Sequence, residues 1–450
     1  MPTEVNAAPP SGTDVNWQIN GKNYSNQTAG FATPFSTLPG TKIALSITCV
    51  APTFYLTVYR MGYYENSGAQ LQMQTEPQPC FTQTRTITDK TTGLVAQDWK
   101  VTQYLETKKL KPGMYLVRIN SSDGLRSFIP FVLRDRTTKG RVVVSIPFQT
   151  SLAYNKYAGA SSYGGDGDFE KRARVLSFAN PLWLGFGSGI YLRYAQPLVK
   201  VIDQLNLNPT YIADADIALN PNILKGAKVL IAAGHDEYWT QEERNSVIRE
   251  RAAGMNLLFF GANNGYWRVR LNTSNDMGDL RMEIYKSVEE DPNKSSPTVR
   301  YRDLGIPEAE LTYQYYNCFK VQGEFTVSNP DAFIFAGTGA KKGSVFKGIM
   351  GPEVDHAIRS DTFPGTRSVL NRTTIKCGEH FWSKKSSSTI VMGLIPEAGG
   401  TISVGTMNWV TKGLTTTVPA STLKFTTAVT TNILLAASSG PLGKQNLKTG

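Results

Sequence analysis

The sequence predicts a small β-sandwich followed by a larger doubly wound α/β domain. Two observations predict it: short alternating strands crowd residues 16–132, and beyond Gly140 continuous apolar runs alternate with helical patterns. The length supports the division, since 450 residues exceed what one ordinary hydrophobic core serves. The expected layout is an unstructured stretch at 1–12, a sandwich at 13–137, an α/β domain at 138–440 with an insertion at about 268–330, and a loose tail at 441–450.

In the first part, Lys42-Ile-Ala-Leu-Ser-Ile-Thr and Phe54-Tyr-Leu-Thr-Val-Tyr-Arg alternate side chains between two faces, as a half-buried strand does. Met114-Tyr-Leu-Val-Arg-Ile and Ser127-Phe-Ile-Pro-Phe-Val-Leu continue the pattern, and Pro112-Gly113 and Asp123-Gly124 supply turns between them. The polar segment Arg134–Gly140 is the expected join.

Arg141-Val-Val-Val-Ser-Ile-Pro-Phe then opens the second part as a strand buried on both faces. A helix is expected near Tyr191–Leu205, a strand around Thr210-Tyr-Ile-Ala, and another at Lys228-Val-Leu-Ile-Ala-Ala-Gly. Thr240–Ala253 reads as a helix: Thr240 suits the N-cap, Glu242 and Glu243 its first turn, and Gly254 its end. Met255-Asn-Leu-Leu-Phe-Phe-Gly is the next buried strand. Phe333-Ile-Phe-Ala-Gly, Thr389-Ile-Val-Met-Gly and Thr401-Ile-Ser-Val-Gly are expected strands, and Thr422–Ala437 a closing helix.

Composition narrows the partners. The formal charge of +11 divides into +4 over residues 1–137 (13 Lys and Arg, 9 Asp and Glu) and +7 over the rest, with no dense basic run. A solubilising surface rather than a nucleic-acid groove follows. No stretch of 18 apolar residues could span a membrane. The opening Met1-Pro-Thr-Glu-Val-Asn has neither a charged nor an apolar leader region, so an unprocessed, cytoplasmic protein is expected. In that setting buried free thiols are the expectation for Cys49, Cys80, Cys318 and Cys377, with a Cys49–Cys80 bridge as the alternative. The six Asn-x-Ser/Thr sites carry no weight there.

In an open α/β sheet, ligands collect where the strands end. Tyr154-Asn-Lys-Tyr157 follows the first strand and Asp214 and Asp216 the second. Gly234-His-Asp-Glu-Tyr-Trp239 follows the third, and Gly261-Ala-Asn-Asn264 with Tyr266-Trp267-Arg268 the fourth. The third segment is the richest, and it holds one of only three histidines. His235, Glu237 and, from the fourth segment, Asn263 are the catalytic candidates. Tyr238 is a candidate phenolate ligand. The structural alternative is that Asp236 caps the helix while Tyr238 and Trp239 pack on the sheet. No Gly-x-Ser-x-Gly elbow, phosphate loop or dinucleotide fingerprint occurs, and Gly185-Phe-Gly-Ser-Gly189 does not directly follow a strand, so it reads as a loop. Dispersed histidines leave oxygen ligands for any metal, which suits a hard ion such as ferric iron.

Several segments resemble the C-terminal domain family of the N,N-dimethylformamidase large subunit. They are Ser151-Leu-Ala-Tyr-Asn-Lys-Tyr, Gly234-His-Asp-Glu-Tyr-Trp, Met255-Asn-Leu-Leu-Phe-Phe-Gly-Ala-Asn-Asn-Gly-Tyr-Trp-Arg-Val-Arg, Phe335-Ala-Gly-Thr-Gly, Gly351-Pro-Glu-Val-Asp and Gly405-Thr-Met-Asn-Trp. The likeness covers roughly residues 140–440. The preceding sandwich, with Val58-Tyr-Arg-Met-Gly-Tyr-Tyr, is similar to the Ig-like one that accompanies such domains. The resemblance implies a glutamine-amidotransferase-like α/β fold without its cysteine. It also implies hydrolysis of a small amide at an iron held by two tyrosines and a glutamate. On this sequence it points to Tyr238, Glu353 and Tyr194 as the ligands, with Tyr154 and Tyr157 as alternatives for the second tyrosine. His235 and His356 would orient the ligands or relay protons. The expected partner is a small amide, and a homo-oligomer is expected. The competing classes are a structural or assembly protein reusing the fold, and a carbohydrate- or polymer-binding protein led by the sandwich.

Overall fold

The computed structural model describes residues 3–4, 16–273, 278–321, 323–358, 363–378, 386–388 and 390–449. The expected unstructured stretch at 1–12 lies outside these apart from Thr3–Glu4, which pairs with Gln103–Glu106.

The first part forms two sheets packed face to face. The smaller has the order Thr3–Glu4, Gln103–Glu106, Lys42–Thr48, Ala29–Thr33. The larger runs Ser36–Thr37, Arg126–Leu133, Gly113–Ser121, Thr53–Met61, Ala69–Gln74. Ile43, Leu45 and Ile47 meet Leu56, Val58, Val117, Ile119, Ile129 and Phe131 between them. The outer face of the larger sheet departs from the alternating in–out reading. Gly113–Ser121 is buried at every position, because Tyr59, Met114, Leu116 and Phe128 join the core that also holds Val142, Val144 and Ile146. Arg118 survives there by donating to the Asn16 carbonyl and lying over the Tyr59 ring.

The second part is organised by a seven-stranded sheet. Its order is Thr210–Ala213, Val142–Ile146, Val229–Ala232, Asn256–Phe259, Gly400–Ser403, Val391–Leu394, Thr366–Val369. The first five strands are parallel, and Val391–Leu394 runs antiparallel to both its neighbours. A separate four-stranded sheet pairs Tyr238–Thr240 with Trp267–Thr273, Leu280–Glu283 and Val175–Ser177.

The doubly wound, glutamine-amidotransferase-like α/β class is corrected by this architecture. Strand makes up 33% and helix 20%, and much of the strand lies in small sheets, including five of only two strands. A doubly wound domain needs a helical crossover between successive strands. Here the chain between Asn256–Phe259 and Gly400–Ser403 is a long excursion of short strands and 3-10 turns, and most helices have four to six residues.

Other elements differ in instructive ways. The helix expected over 191–205 breaks at Ala195 into Tyr191–Tyr194 and Gln196–Gln204, with Pro197 in the first turn of the second piece. Phe333–Phe335 is a 3-10 turn rather than a strand. The helix after the third strand starts as expected, at Gln241 with a Thr240–Glu243 capping box, and ends at Ala252. The closing helix is Ala420–Ser439. The tail beyond it is tied down, since the Leu442 amide donates to the Asn256 side-chain carbonyl and Leu442 is fully buried.

The cysteines are also corrected. None is free among the described residues: Cys49 pairs with Cys80 and Cys318 with Cys377. Paired thiols persist in oxidising surroundings, which removes the support that free thiols would have lent a cytoplasmic setting. Among the described residues no helix is long and apolar enough to cross a membrane.

Candidate functional site

The site is assembled where the strands Val142–Ile146, Val229–Ala232 and Asn256–Phe259 end. After the first, the short helix Phe148–Ala153 is capped by Asp214, whose carboxylate accepts the amides of Phe148 and Gln149 at 3.1 and 2.8 Å. That helix delivers Tyr154 at its end. Its Thr150 hydroxyl accepts the Glu237 amide at 2.9 Å, which pins the segment after the second of these strands.

Glycine makes the close approach. Gly234 sits at φ +78°, and a Cβ there would lie 2.1 Å from the Tyr194 carbonyl oxygen. Gly261 faces it, with a Cβ placed 1.6 Å from the Gly234 carbonyl oxygen. Only paired glycines let the backbone around Tyr194 settle on two strand ends at once. The rings of Tyr194 and His235 consequently lie 5.7 Å apart.

Glu237 is the hub. It is 2% exposed, and its carboxylate accepts from the hydroxyls of Tyr154 at 2.7 Å and Tyr163 at 2.8 Å. His235 Nε2 is 3.3 Å from the same carboxylate and 3.3 Å from the Tyr154 oxygen, while Nδ1 faces the Ala262 carbonyl. Behind this group, the Tyr238 hydroxyl donates to Tyr163 at 2.6 Å and accepts from Lys286 Nζ at 3.0 Å. The Lys286 ammonium lies 3.4 Å from the Tyr163 ring centre and 4.8 Å from that of Trp267. On the other side, the strand Glu353–Ala357 presents two carboxylates. Asn263 Nδ2 donates to Glu353 at 2.9 Å, and the Asn263 amide donates to Asp355 at 2.9 Å.

Burial and charge set the protonation states. Burial works against the Glu237 carboxylate, but the hydrogen bond and charge of His235, then Lys286 and Tyr154, outweigh it and hold the group below its usual range. Burial likewise opposes the His235 imidazolium, yet Glu237 and Glu353 raise it to about 9. Burial, reinforced by the Glu237 charge, lifts Glu353 to about 7. Burial lowers Lys286 to about 7 against the pull of Glu237. The phenols of Tyr154, Tyr163 and Tyr238 are pushed well up, first by burial and then by Glu237. Tyr163 keeps an exposed ring edge, but its hydroxyl is enclosed by this network.

A cavity of about 570 Å³ opens onto the group. Tyr154, Tyr194, His235 and Glu353 form its polar part together with Arg193, and the rest is mainly apolar. The chain matches the family described as N,N-dimethylformamidase beta subunit-like, C-terminal, over residues 55–418. It belongs to that family. No curated protein matches it. Among solved structures, one of a Paenibacillus cycloisomaltooligosaccharide glucanotransferase complexed with cycloisomaltoheptaose aligns at 9% identity with a TM-score of 0.16. That alignment covers 58% of this chain and 34% of the other, and a likeness so low carries no argument.

Within this dimethylformamidase-like chain, the residues singled out from the sequence fall into two groups. Tyr154, Tyr194, His235 and Glu353 line the cavity, and Glu237 and Asn263 are hydrogen-bonded to Tyr154 and Glu353 directly behind it. Tyr238 stands one hydrogen bond further back, reaching Glu237 through Tyr163. Tyr157 turns away, donating to the Asn26 carbonyl in the first part of the chain. His356 follows Asp355 in the same strand and so alternates to the face opposite Glu353 and Asp355. Asp236 does not cap the helix, a role Thr240 takes, while Trp239 packs near Phe259.

Tyr163 and Lys286 were not singled out. Tyr163 lies in a Ser161-Ser-Tyr-Gly-Gly loop with no motif, and Lys286 follows the strand Leu280–Glu283 in a stretch that reads only as loops and strands. No signal in the sequence marks either.

Proposed function

We propose that this chain hydrolyses carboxamide C–N bonds at a hard metal ion held by tyrosine and carboxylate oxygens. The observation that carries the proposal is Glu237: a fully buried carboxylate shared by two phenols and an imidazole, of which Tyr154 and His235 line the cavity. Membership of the N,N-dimethylformamidase beta subunit-like family supports a hydrolase reading of this group.

The donor set fits a hard cation such as ferric iron. Among the described residues no group of three His, Cys, Asp or Glu side chains could hold a metal, so phenol oxygens would have to complete any site. Tyr154 and Glu237 already place two oxygens 2.7 Å apart. Both Glu237 and Glu353 act on the Tyr194 phenol, which faces the same cavity. Tyr154, Tyr194 and Glu237 are therefore the proposed holders, and Tyr238 supports Tyr163 behind them. Bound there, the ion would polarise the amide carbonyl and make hydroxide available near neutral pH.

The chain's own residues would do the rest. His235, fixed at Nδ1 by the Ala262 carbonyl, presents Nε2 to the cavity side to hold or deliver a proton to the leaving nitrogen. Glu353, tuned near neutrality and steadied by Asn263, can exchange a proton beside it.

The test is metal content and visible absorption of the purified protein, with release of amine from dimethylformamide as the activity readout. Tyr154→Phe and Glu237→Gln should each lower bound iron at least tenfold and bleach the tyrosinate-to-iron band. Tyr238→Phe should keep most of the metal. Full iron content in Tyr154→Phe and Glu237→Gln would overturn the ligand assignment, and a metal-free, colourless, inactive wild-type protein would overturn the function.

A further inference from the structure

Building on the proposed amidase reading, we infer that the substrate is not of dimethylformamide size but a carboxamide bearing a bulky apolar group, in the range of benzyl, phenylethyl or branched alkyl. The argument is the shape and chemistry of the cavity. About 570 Å³ falls in the range of sites that enclose drug-sized ligands, and an amide with two methyl groups would leave most of it to water.

The walls show what the space is for. Leu184 and Phe186 come from a 3-10 turn, Ile190 and Leu192 from the start of the helix Tyr191–Tyr194, Phe319 from the end of the strand Gln314–Phe319, and Met407 from the start of the helix Asn408–Thr411. These side chains offer no hydrogen bond to a polar substituent, so water held against them is released at a gain when an apolar group enters. Met407 adapts to irregular shapes, which suits a substituent rather than a second polar anchor.

The wall is also built on a turn of unusual backbone conformation. Gly185 and Phe186 both sit near φ +60°, the left-handed region that a phenylalanine avoids. The Phe186 ring packs edge-on against Tyr24, and the Tyr24 hydroxyl donates to the Trp183 carbonyl. The first part of the chain therefore braces the turn that forms this wall. Gly185-Phe-Gly-Ser-Gly189, which does not directly follow a strand, is thus placed on the apolar side of the cavity.

The test is calorimetric binding to the purified full chain across a graded series: N,N-dimethylformamide, N-butylformamide, N-benzylformamide and N-methylphenylacetamide. The last two place the bulk on the amine and the acyl side respectively. Each buried methylene should tighten Kd about fourfold, so the tighter of the two benzyl-sized members should exceed dimethylformamide at least about fiftyfold. Leu192→Trp, at a half-buried position, should cut that ratio tenfold or more. A flat series, or an unchanged ratio in Leu192→Trp, overturns the inference. The two readings separate cleanly. A flat series with amine still released from dimethylformamide sinks the substrate class alone. Tight binding of the bulky amides with no amine released from any of them sinks the hydrolase and leaves the ligand class.

Discussion

The contact between Gly234 and the backbone of Tyr194 can be tested by adding a single methyl group. Gly234→Ala meets two penalties. The left-handed backbone at φ +78° costs an alanine about 1–2 kcal/mol. The new Cβ would also sit 2.1 Å from the Tyr194 oxygen and 2.8 Å from its carbonyl carbon, backbone atoms that cannot swing aside. Overpacking of that kind adds about 1–3 kcal/mol, for a total near 4 kcal/mol. Gly265→Ala is the matched control. Gly265 is also left-handed, at φ +61°, but its nearest new neighbour would be the Trp239 ring at 3.7 Å, an ordinary contact. It should cost about 1 kcal/mol from the backbone alone. Urea unfolding followed by tryptophan fluorescence measures both, and the difference of about 3 kcal/mol isolates the collision. Because relief of the clash must push Tyr194 off the strand end, Gly234→Ala should also lose metal while Gly265→Ala retains it. Equal stabilities for the two variants, within about 0.5 kcal/mol, would refute the reasoning.

Two further outcomes are expected from the same structure. Thiol titration in denaturant without reductant should find no free thiol. Cys49→Ser with Cys80→Ser should lose about 4 kcal/mol, as the chain-entropy cost of opening a 31-residue separation predicts; two or more titrating thiols in the wild type would refute the pairing. Lys286 loses its proton at about 7 in the fold but near 10.4 when unfolded, so between those values the unfolded chain binds more protons. Stability should therefore rise with pH from about 7 to 10, and Lys286→Met should flatten that rise; parallel pH profiles for the two proteins would refute the burial of this ammonium.

The strands that carry the site were legible because each is buried on both faces and so writes its run without alternation, as Val142–Ile146, Val229–Ala232 and Asn256–Phe259 do. Residues just past the end of such a run are placed by the sheet itself, which is why His235, Glu237, Asn263 and Tyr154 could be named. Glu353 was reached only through a family motif, since it arrives on a strand pairing Gln314–Phe319, away from the main sheet. The predominance of β-structure was missed because two- and three-residue strands leave no periodicity to count. Gly113–Ser121 shows the same limit from another side. Its alternation is real, but a second core covers the face that the pattern assigns to water. The Cys49–Cys80 bridge stood only as an alternative to free thiols, and Cys318–Cys377 escaped, because partners 31 and 59 residues apart meet only through tertiary packing.

The long excursion between Asn256–Phe259 and Gly400–Ser403 has a consequence for how the protein is made. These strands are neighbours in the sheet, yet all of residues 260–399 must leave the ribosome between them. At roughly 5–20 residues per second, the edge of Asn256–Phe259 waits roughly 7–28 s for its natural partner. An apolar strand left open that long is a template for other nascent chains. The same delay keeps Glu353 from meeting Asn263 until late in translation, so the candidate site would be among the last features of the molecule to exist.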